Sequence, residues 1–300
     1  MPLFRRSDGD LVKEVDAVRR MMPYIMRGRN ESIVYHTTQW DVTGARVWLR
    51  AFNRARATKA QATLFHLAAY AIVKTFYARP GLNRFVSGGR IYQRRGMWIS
   101  FAIKTTLADG APLRTVKLYF PENETFDEYI DRIAEAVKTG RSEKESRIES
   151  EVRLLTKLPG PVLQILLAAA RGLDRLNLLP AALLTPDPMY ASIFMANLGS
   201  IHIDNAYHHL YEYGTCSFFC VLSDAKPTVV TDRSGRSQVR LILQPYWSFD
   251  ERINDGFYCM KSLEFMRRFI EDPERYVEVD VASAPVNSEA SEPAEAVTQH

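Results

Sequence analysis

The residues best placed to do chemistry lie together near the C-terminal end, in Asp250-Glu251-Arg252-Ile253-Asn254-Asp255-Gly256. Carboxylates serve as general acids or bases once their surroundings tune them, and an amide such as Asn254 either orients a substrate or caps a helix. The flanking pattern says what must position them. Residues 239–248 are apolar and partly alternating, which predicts a strand entering a core. Asp255-Gly256 supplies a turn, with glycine free to take backbone angles closed to other residues. Met260, Leu263, Phe265, Met266, Phe269 and Ile270 then recur at helical spacing until Asp272-Pro273 closes the helix. A strand that delivers a charged turn to a helix head is a common way to place a catalytic group. An ordinary core strand, turn and helix would look the same, and pattern alone favours that plainer reading.

Composition narrows the rest. The 300 residues are 46% hydrophobic and 25% charged, with a net charge of +4, an ordinary globular balance. One large domain or two small ones would fit that length. Basic residues are scattered, and no zinc-finger or RNA-binding signature occurs, so a solvated surface is favoured over a nucleic-acid groove. Three cysteines, Cys216, Cys220 and Cys259, are too few for a disulfide framework or a metal site, which favours a reducing, cytoplasmic setting. No run approaches the ~20 apolar residues that span a bilayer, and the N-terminus lacks the apolar core of a signal peptide.

Along the chain, residues 10–28 predict a helix with a stop or kink near Pro23. Residues 32–43 read as a strand, with Asp41 to Thr43 capping a helix over 45–52. A strongly apolar helix over 63–79 ends at Pro80-Gly81, and a hairpin and a strand over 98–105 follow. Thr125, with Glu128 three residues on, opens a helix reaching about Lys138. Residues 138–188 run from a charged stretch over 140–151 to apolar segments over 162–170 and 173–184 broken by prolines. The functional readings of this interval are a lid, an apolar pocket, or a patch touching a membrane or partner. A helical pair packed on the core is preferred, because apolar helices are usually core. Residues 278–300, rich in Ala, Ser, Glu and Pro, predict a disordered tail.

The order of these motifs resembles one acyltransferase family: the catalytic domains of dihydrolipoamide acyltransferases, core subunits of 2-oxo acid dehydrogenase complexes, and their relative chloramphenicol acetyltransferase. The hallmark is His-x-x-x-Asp-Gly, written Asp-His-Arg-x-x-Asp-Gly in the dehydrogenase branch. This chain keeps Asp250, Arg252, Asp255 and Gly256 but carries Glu251 where the family has its histidine. Ala196-Asn197-Leu198-Gly199 is similar to the family's Ser-Asn-Leu-Gly strand, and Arg27 or Arg29 falls near an arginine that holds the Asp of Asp-Gly. The resemblance covers about residues 20–277. It implies an α/β fold, a chloramphenicol acetyltransferase-like sandwich with a mixed, mainly antiparallel sheet and helices on one side. Residues 1–277 would then be one stand-alone catalytic domain, with residues 138–188 as a variable helical insertion and no lipoyl domain in this chain.

The resemblance also implies a coenzyme A-dependent acyl transfer, with acyl-CoA and an unidentified thiol, amine or hydroxyl acceptor as partners, inside a homotrimer whose sites lie between subunits. Glu251 takes the base position, Asp255 shapes the turn, and Ser200 is the hydroxyl assigned to the oxyanion, with Thr215 and Ser217 as alternatives. Proton transfer from a thiol (pKa about 8.5) to an ordinary glutamate (about 4.3) is uphill by roughly four units, unless burial raises the carboxylate. Three outcomes stay open: a carboxylate-based enzyme, an enzyme using another base such as His208 or His209, or a silent trimeric scaffold or acyl-binding module. His36 lies near a position that is often histidine in the dehydrogenase branch, where a lone strand histidine is more often structural.

Overall fold

The structure is a computed structural model that describes residues 4–56, 60–104, 113–141, 150, 153–201, 203–204 and 206–277. In chain order it holds β1 (Gly9–Leu11), α1 (Ala17–Ile25), β2 (Ile33–Thr37), β3 (Trp40–Asp41), α2 (Thr43–Ala55) and α3 (Leu64–Ala78). There follow β4 (Arg84–Ser87), β5 (Arg90–Arg94), β6 (Met97–Lys104), β7 (Leu113–Phe120), α4 (Phe126–Arg141), α5 (Gly160–Arg175) and α6 (Ala181–Leu184). The last part comprises β8 (Ile193–Asn197), β9 (Phe218–Leu222), β10 (Lys226–Thr231), β11 (Ser237–Leu243), β12 (Tyr246–Asp250), α7 (Gly256–Glu271) and α8 (Pro273–Val277). No described helix is long and apolar enough to cross a membrane.

Six strands make one mixed sheet in the order β2-β12-β9-β8-β6-β7. The β9/β8 and β8/β6 pairs are parallel and the other three antiparallel. Successive side chains leave a strand on opposite faces. Ile193, Met195, Phe218, Cys220, Trp247 and Phe249 therefore join the main core, with buried residues of α2, α3, α4 and α7 on that face. Phe194, Phe219 and Val221 point the other way, and Leu210 and Cys216 from the connecting segment cover them. Helices occupy one side of the sheet, as the family resemblance implied. Thr125 and Glu128 form the expected capping box, with the Thr125 N–H donating to Glu128 Oε2 at 3.0 Å and the Glu128 N–H to Thr125 Oγ1 at 3.3 Å.

Two predicted strands are each divided. Residues 239–248 break at Gln244-Pro245, where proline has no N–H to continue the ladder. β11 joins β10 and β3 in a separate three-stranded sheet, and β12 joins the large one. Residues 32–43 break opposite, so β2 pairs with β12 and β3 with β11. The Thr37 hydroxyl donates to the Pro245 carbonyl at 3.0 Å and ties the two breaks together. The chain thus changes sheet twice at one place.

The N-terminal helix also differs from expectation. Residues 9–11 pair with β5 instead, and Pro23 lies inside α1, which closes one more turn through the Met26 N–H to the Met22 carbonyl at 2.9 Å. The insertion departs furthest: α5 is not packed on the core, and among its residues only Asp174 is buried. Helix α6 is a single short turn. The charged residues 142–149 and the tail 278–300 lie outside the described residues.

Candidate functional site

The 250–256 turn is knotted from within. Asp250 ends β12 with its side chain fully buried, and Arg252 beside it is also buried. The guanidinium grips the carboxylate in two places, Nε to Oδ1 at 2.8 Å and Nη2 to Oδ2 at 2.7 Å. Arg252 Nη1 donates to the Met26 and Arg27 carbonyls at 3.0 Å each, and the Ser32 hydroxyl donates to Asp250 Oδ1 at 3.0 Å. An arginine–carboxylate pair out of water is held only when its remaining donors and acceptors are satisfied. Here the turn after α1 satisfies them, with the Met26 and Arg27 carbonyls and the Ser32 hydroxyl clamping this pair.

Asp255 is exposed and caps α7, accepting the Tyr258 N–H at 2.7 Å. Neither Arg27 nor Arg29 holds it. The buried Arg29 donates instead to the carbonyls of Tyr211 and Glu212 at 3.0 Å, and to that of Gly214. Asn254 is a neighbour of the cap rather than the cap itself. A Cβ on Gly81 would collide with its amide nitrogen, so only glycine lets the turn after α3 approach so closely.

Glu251 is half-buried. Its N–H donates to the Ser32 carbonyl at 2.9 Å and its carbonyl accepts from Arg19. Its carboxylate has no hydrogen-bond or ion-pair partner among the described residues, and it lines none of the cavities described below.

A second constellation lies elsewhere. A cavity of about 520 Å³ opens between the β6/β8/β9 end of the large sheet, the start of α3 and one face of α4. Phe65, Phe101, Phe194, Phe219, Met189 and Leu198 give it a mainly apolar wall. Asn197, Ser200, His66 and His208 place polar groups in it. The Ser200 hydroxyl donates to the Asn197 carbonyl at 2.9 Å. Ser200 lines this cavity and Glu251 does not. Thr215 and Ser217 are buried, and the Thr215 hydroxyl accepts from Arg94 at 2.9 Å.

His208 is one of the two alternative bases that the sequence left open, and it is the one that lines this cavity. Its ring stacks on Phe219, with centroids 4.0 Å apart and planes 9° apart. Nδ1 lies 2.7 Å from the His209 carbonyl. A carbonyl only accepts, so Nδ1 carries the proton and Nε2 holds the free lone pair. Burial lowers its pKa, which favours the neutral ring. His66 shows the opposite tautomer: its Nδ1 accepts the Thr63 N–H at 3.1 Å in the cap of α3. Burial and the nearby Arg56 push it down to about 4. His36 sits in β2 opposite Trp247, half-buried and away from this cavity. No cluster of metal-ligating side chains occurs among the described residues.

No family model and no curated protein sequence matches the chain. Solved structures do. A probable dihydrolipoamide acetyltransferase from Listeria monocytogenes superposes with a TM-score of 0.59 at 16% identity, over 88% of this chain and 95% of that one. Chloramphenicol acetyltransferase superposes with a TM-score of 0.53 at 13% identity, over 88% and 98%.

The chain has the chloramphenicol acetyltransferase fold.

The dihydrolipoamide acetyltransferase of Azotobacter vinelandii, with a TM-score of 0.59 and 16% identity over 88% of this chain and 93% of that one, shares it. That enzyme was investigated for the role of a serine, a histidine and an asparagine in its catalytic mechanism. Within this fold, the present chain puts its buried ion pair in the turn after β12 and its imidazole and hydroxyl in the cavity at the end of the β6/β8/β9 strands.

Proposed function

We propose that the chain is a coenzyme A-dependent acyltransferase, with the acyl group in the apolar cavity and His208 as its base. The observation that carries this reading is the meeting of a neutral imidazole, a hydroxyl and an amide, His208, Ser200 and Asn197, in one mainly apolar cavity. Acyltransferases are the fold's neighbours in structure. An apolar wall accepts an acyl chain and strengthens any electrostatic interaction inside it.

Chemically, the acceptor's S–H, N–H or O–H proton moves to His208 Nε2 as its heteroatom attacks the thioester carbonyl. The resulting oxyanion takes hydrogen bonds from the Asn197 side-chain amide and from the Ser200 hydroxyl, which turns to it from the Asn197 carbonyl. Collapse expels the coenzyme A thiolate, which recovers the proton from the imidazolium. The imidazole is the better base for a thiol: it starts roughly two units or more below about 8.5, where an ordinary carboxylate starts roughly four below.

A second reading assigns the base to Glu251, supported by its half-exposed, unpartnered carboxylate at the family's base position. It requires a homotrimer in which Glu251 of one protomer faces the cavity of the next, with Asp255 shaping the turn that presents it. Both readings place the reaction in the cytoplasm, where acyl-CoA is available. Thiol release over a panel of acyl-CoA donors and acceptors tests the activity. Loss on His208→Ala with retention on Glu251→Gln supports the first reading, and the reverse supports the second. Failure of every acyl-CoA to bind removes both.

A further inference from the structure

Helix α5 has an unusual surface. Between Pro161 and Ala170 its only polar side chain is Gln164, yet Ile165, Leu166 and Leu167 are 68%, 45% and 38% exposed. Consecutive helical residues point about 100° apart, so three in a row, with Ala168 also exposed, sample the whole circumference. A helix that is apolar all round is ordinarily buried on every side. The exposure continues through Leu154 and Leu158 before the helix, Leu173 near its end, and Leu176 and Leu183 after it. Helix α1 shows Val18, Met21, Tyr24 and Ile25 in the same way. Contiguous apolar exposure of this kind marks a protein–protein or membrane interaction surface.

The two helices meet at a cleft of about 630 Å³, lined by Tyr24 of α1 and Arg27 just beyond it, by Arg171 and Arg175 of α5, and by Arg90 of β5. Among the described residues, the guanidinium groups of Arg27, Arg90, Arg171 and Arg175 have no carboxylate partner. From residue 153 to 186 the sequence has four cations and one acid. That acid, Asp174, is held by Arg6 at 2.7 Å.

We propose that this face docks on an anionic phospholipid bilayer, with α5 immersed at the interface and the cleft arginines on the headgroup phosphates. Two observations choose a bilayer over a second copy of the chain. A protein surface covers one side of a helix and would leave the other apolar sides of α5 wet, whereas acyl chains close around it. Four unpaired guanidinium groups beside the apolar surface match lipid phosphates, in the manner of interfacial helices. An identical copy would bring the same arginines, and the two acids of the cleft wall are already engaged, Asp174 by Arg6 and Glu212 by the Arg29 and Asn30 N–H groups. Such docking would put the enzyme where long-chain acyl groups and apolar acceptors partition.

The test is co-sedimentation of the full chain with vesicles of phosphatidylglycerol mixed with phosphatidylcholine, and with vesicles of phosphatidylcholine alone. The expected result is pelleting with the anionic vesicles that weakens in high salt. The double variant Ile165→Glu with Leu166→Glu should abolish it. Arg171→Glu with Arg175→Glu should weaken it at least about 30-fold, two charges at about 1 kcal/mol each. All four side chains are exposed, so an unchanged circular dichroism spectrum and melting point will confirm that the variants fold. The proposal is overturned if the wild-type chain stays in the supernatant with anionic vesicles, or if binding survives the Glu pair. It is equally overturned if the Glu pair splits an oligomer while the wild type ignores vesicles, which would assign the helix to a second copy.

Discussion

The turn at 250–256 and the cavity at 197–208 are two polar regions of one fold with opposite fates. In the turn, the buried charges are spent on each other: Asp250 and Arg252 share two bonds, and Ser32 and two carbonyls take the remainder. In the cavity, His208 keeps a free Nε2 and the Asn197 amide has no hydrogen-bond partner among the described residues. A buried network with every partner satisfied is rigid, and it has nothing left to offer a substrate. Reactivity requires a group held in place by one contact and left open at another. Stacking on Phe219 and the bond to the His209 carbonyl do that for His208.

The sharpest way to break this comparison is to attack the knot. Asp250→Ala leaves Arg252 buried and unpaired, and should cost about 3–5 kcal/mol in denaturant unfolding. The account also expects acyl transfer per folded molecule to stay within about threefold at temperatures where the variant is native. A large loss of turnover from folded protein would give the turn a chemical role it is denied here.

Acid provides a second lever. His66, pushed down to about 4, and His208, lowered less, are both neutral in the folded chain near pH 7. The unfolded chain takes up protons at about 6.5, before the folded one does. Their stabilisation is therefore complete above pH 6.5 and is lost as pH falls toward 4. His66 should contribute on the order of 1–3 kcal/mol to that loss, and His66→Gln should flatten stability against pH in this window. Over the same window the rate should fall at a pH below 6.5, as His208 acquires its proton.

Gly81→Ala sharpens the comparison at smaller scale. Its Cβ would meet Asn254 and Tyr258, and overpacking of this kind costs about 1–3 kcal/mol. Melting should register it, while turnover of the remaining folded protein holds. Smallest of all is Glu251→Gln. A half-exposed carboxylate without a partner should change stability by no more than about 0.5 kcal/mol.

Much of the fold was legible because periodicity is a local signal. The helix over 64–78, the capping box at Thr125 and the strand–turn–helix around 250–256 follow from residues close in sequence. The sheet changes at Thr38 and Pro245 were not, although Pro245 carried the clue of a missing donor. The site was less legible. Pattern favours the charged turn, since a motif is contiguous. His208 earns its place through Phe219, eleven residues on, and through Asn197 and Ser200 from another strand end. The exposure of α5 was unreadable for a related reason: an apolar helix has the same composition whether protein or lipid covers it.

The account is tested most directly by thiol release from acyl-CoA by wild-type, His208→Ala and Glu251→Gln proteins side by side. His208→Ala should lower the rate by about 10²- to 10⁴-fold, the span of a lost general base, and Glu251→Gln should leave it within about twofold. A His208→Ala enzyme that turns over like the wild type, beside a dead Glu251→Gln enzyme, would contradict it.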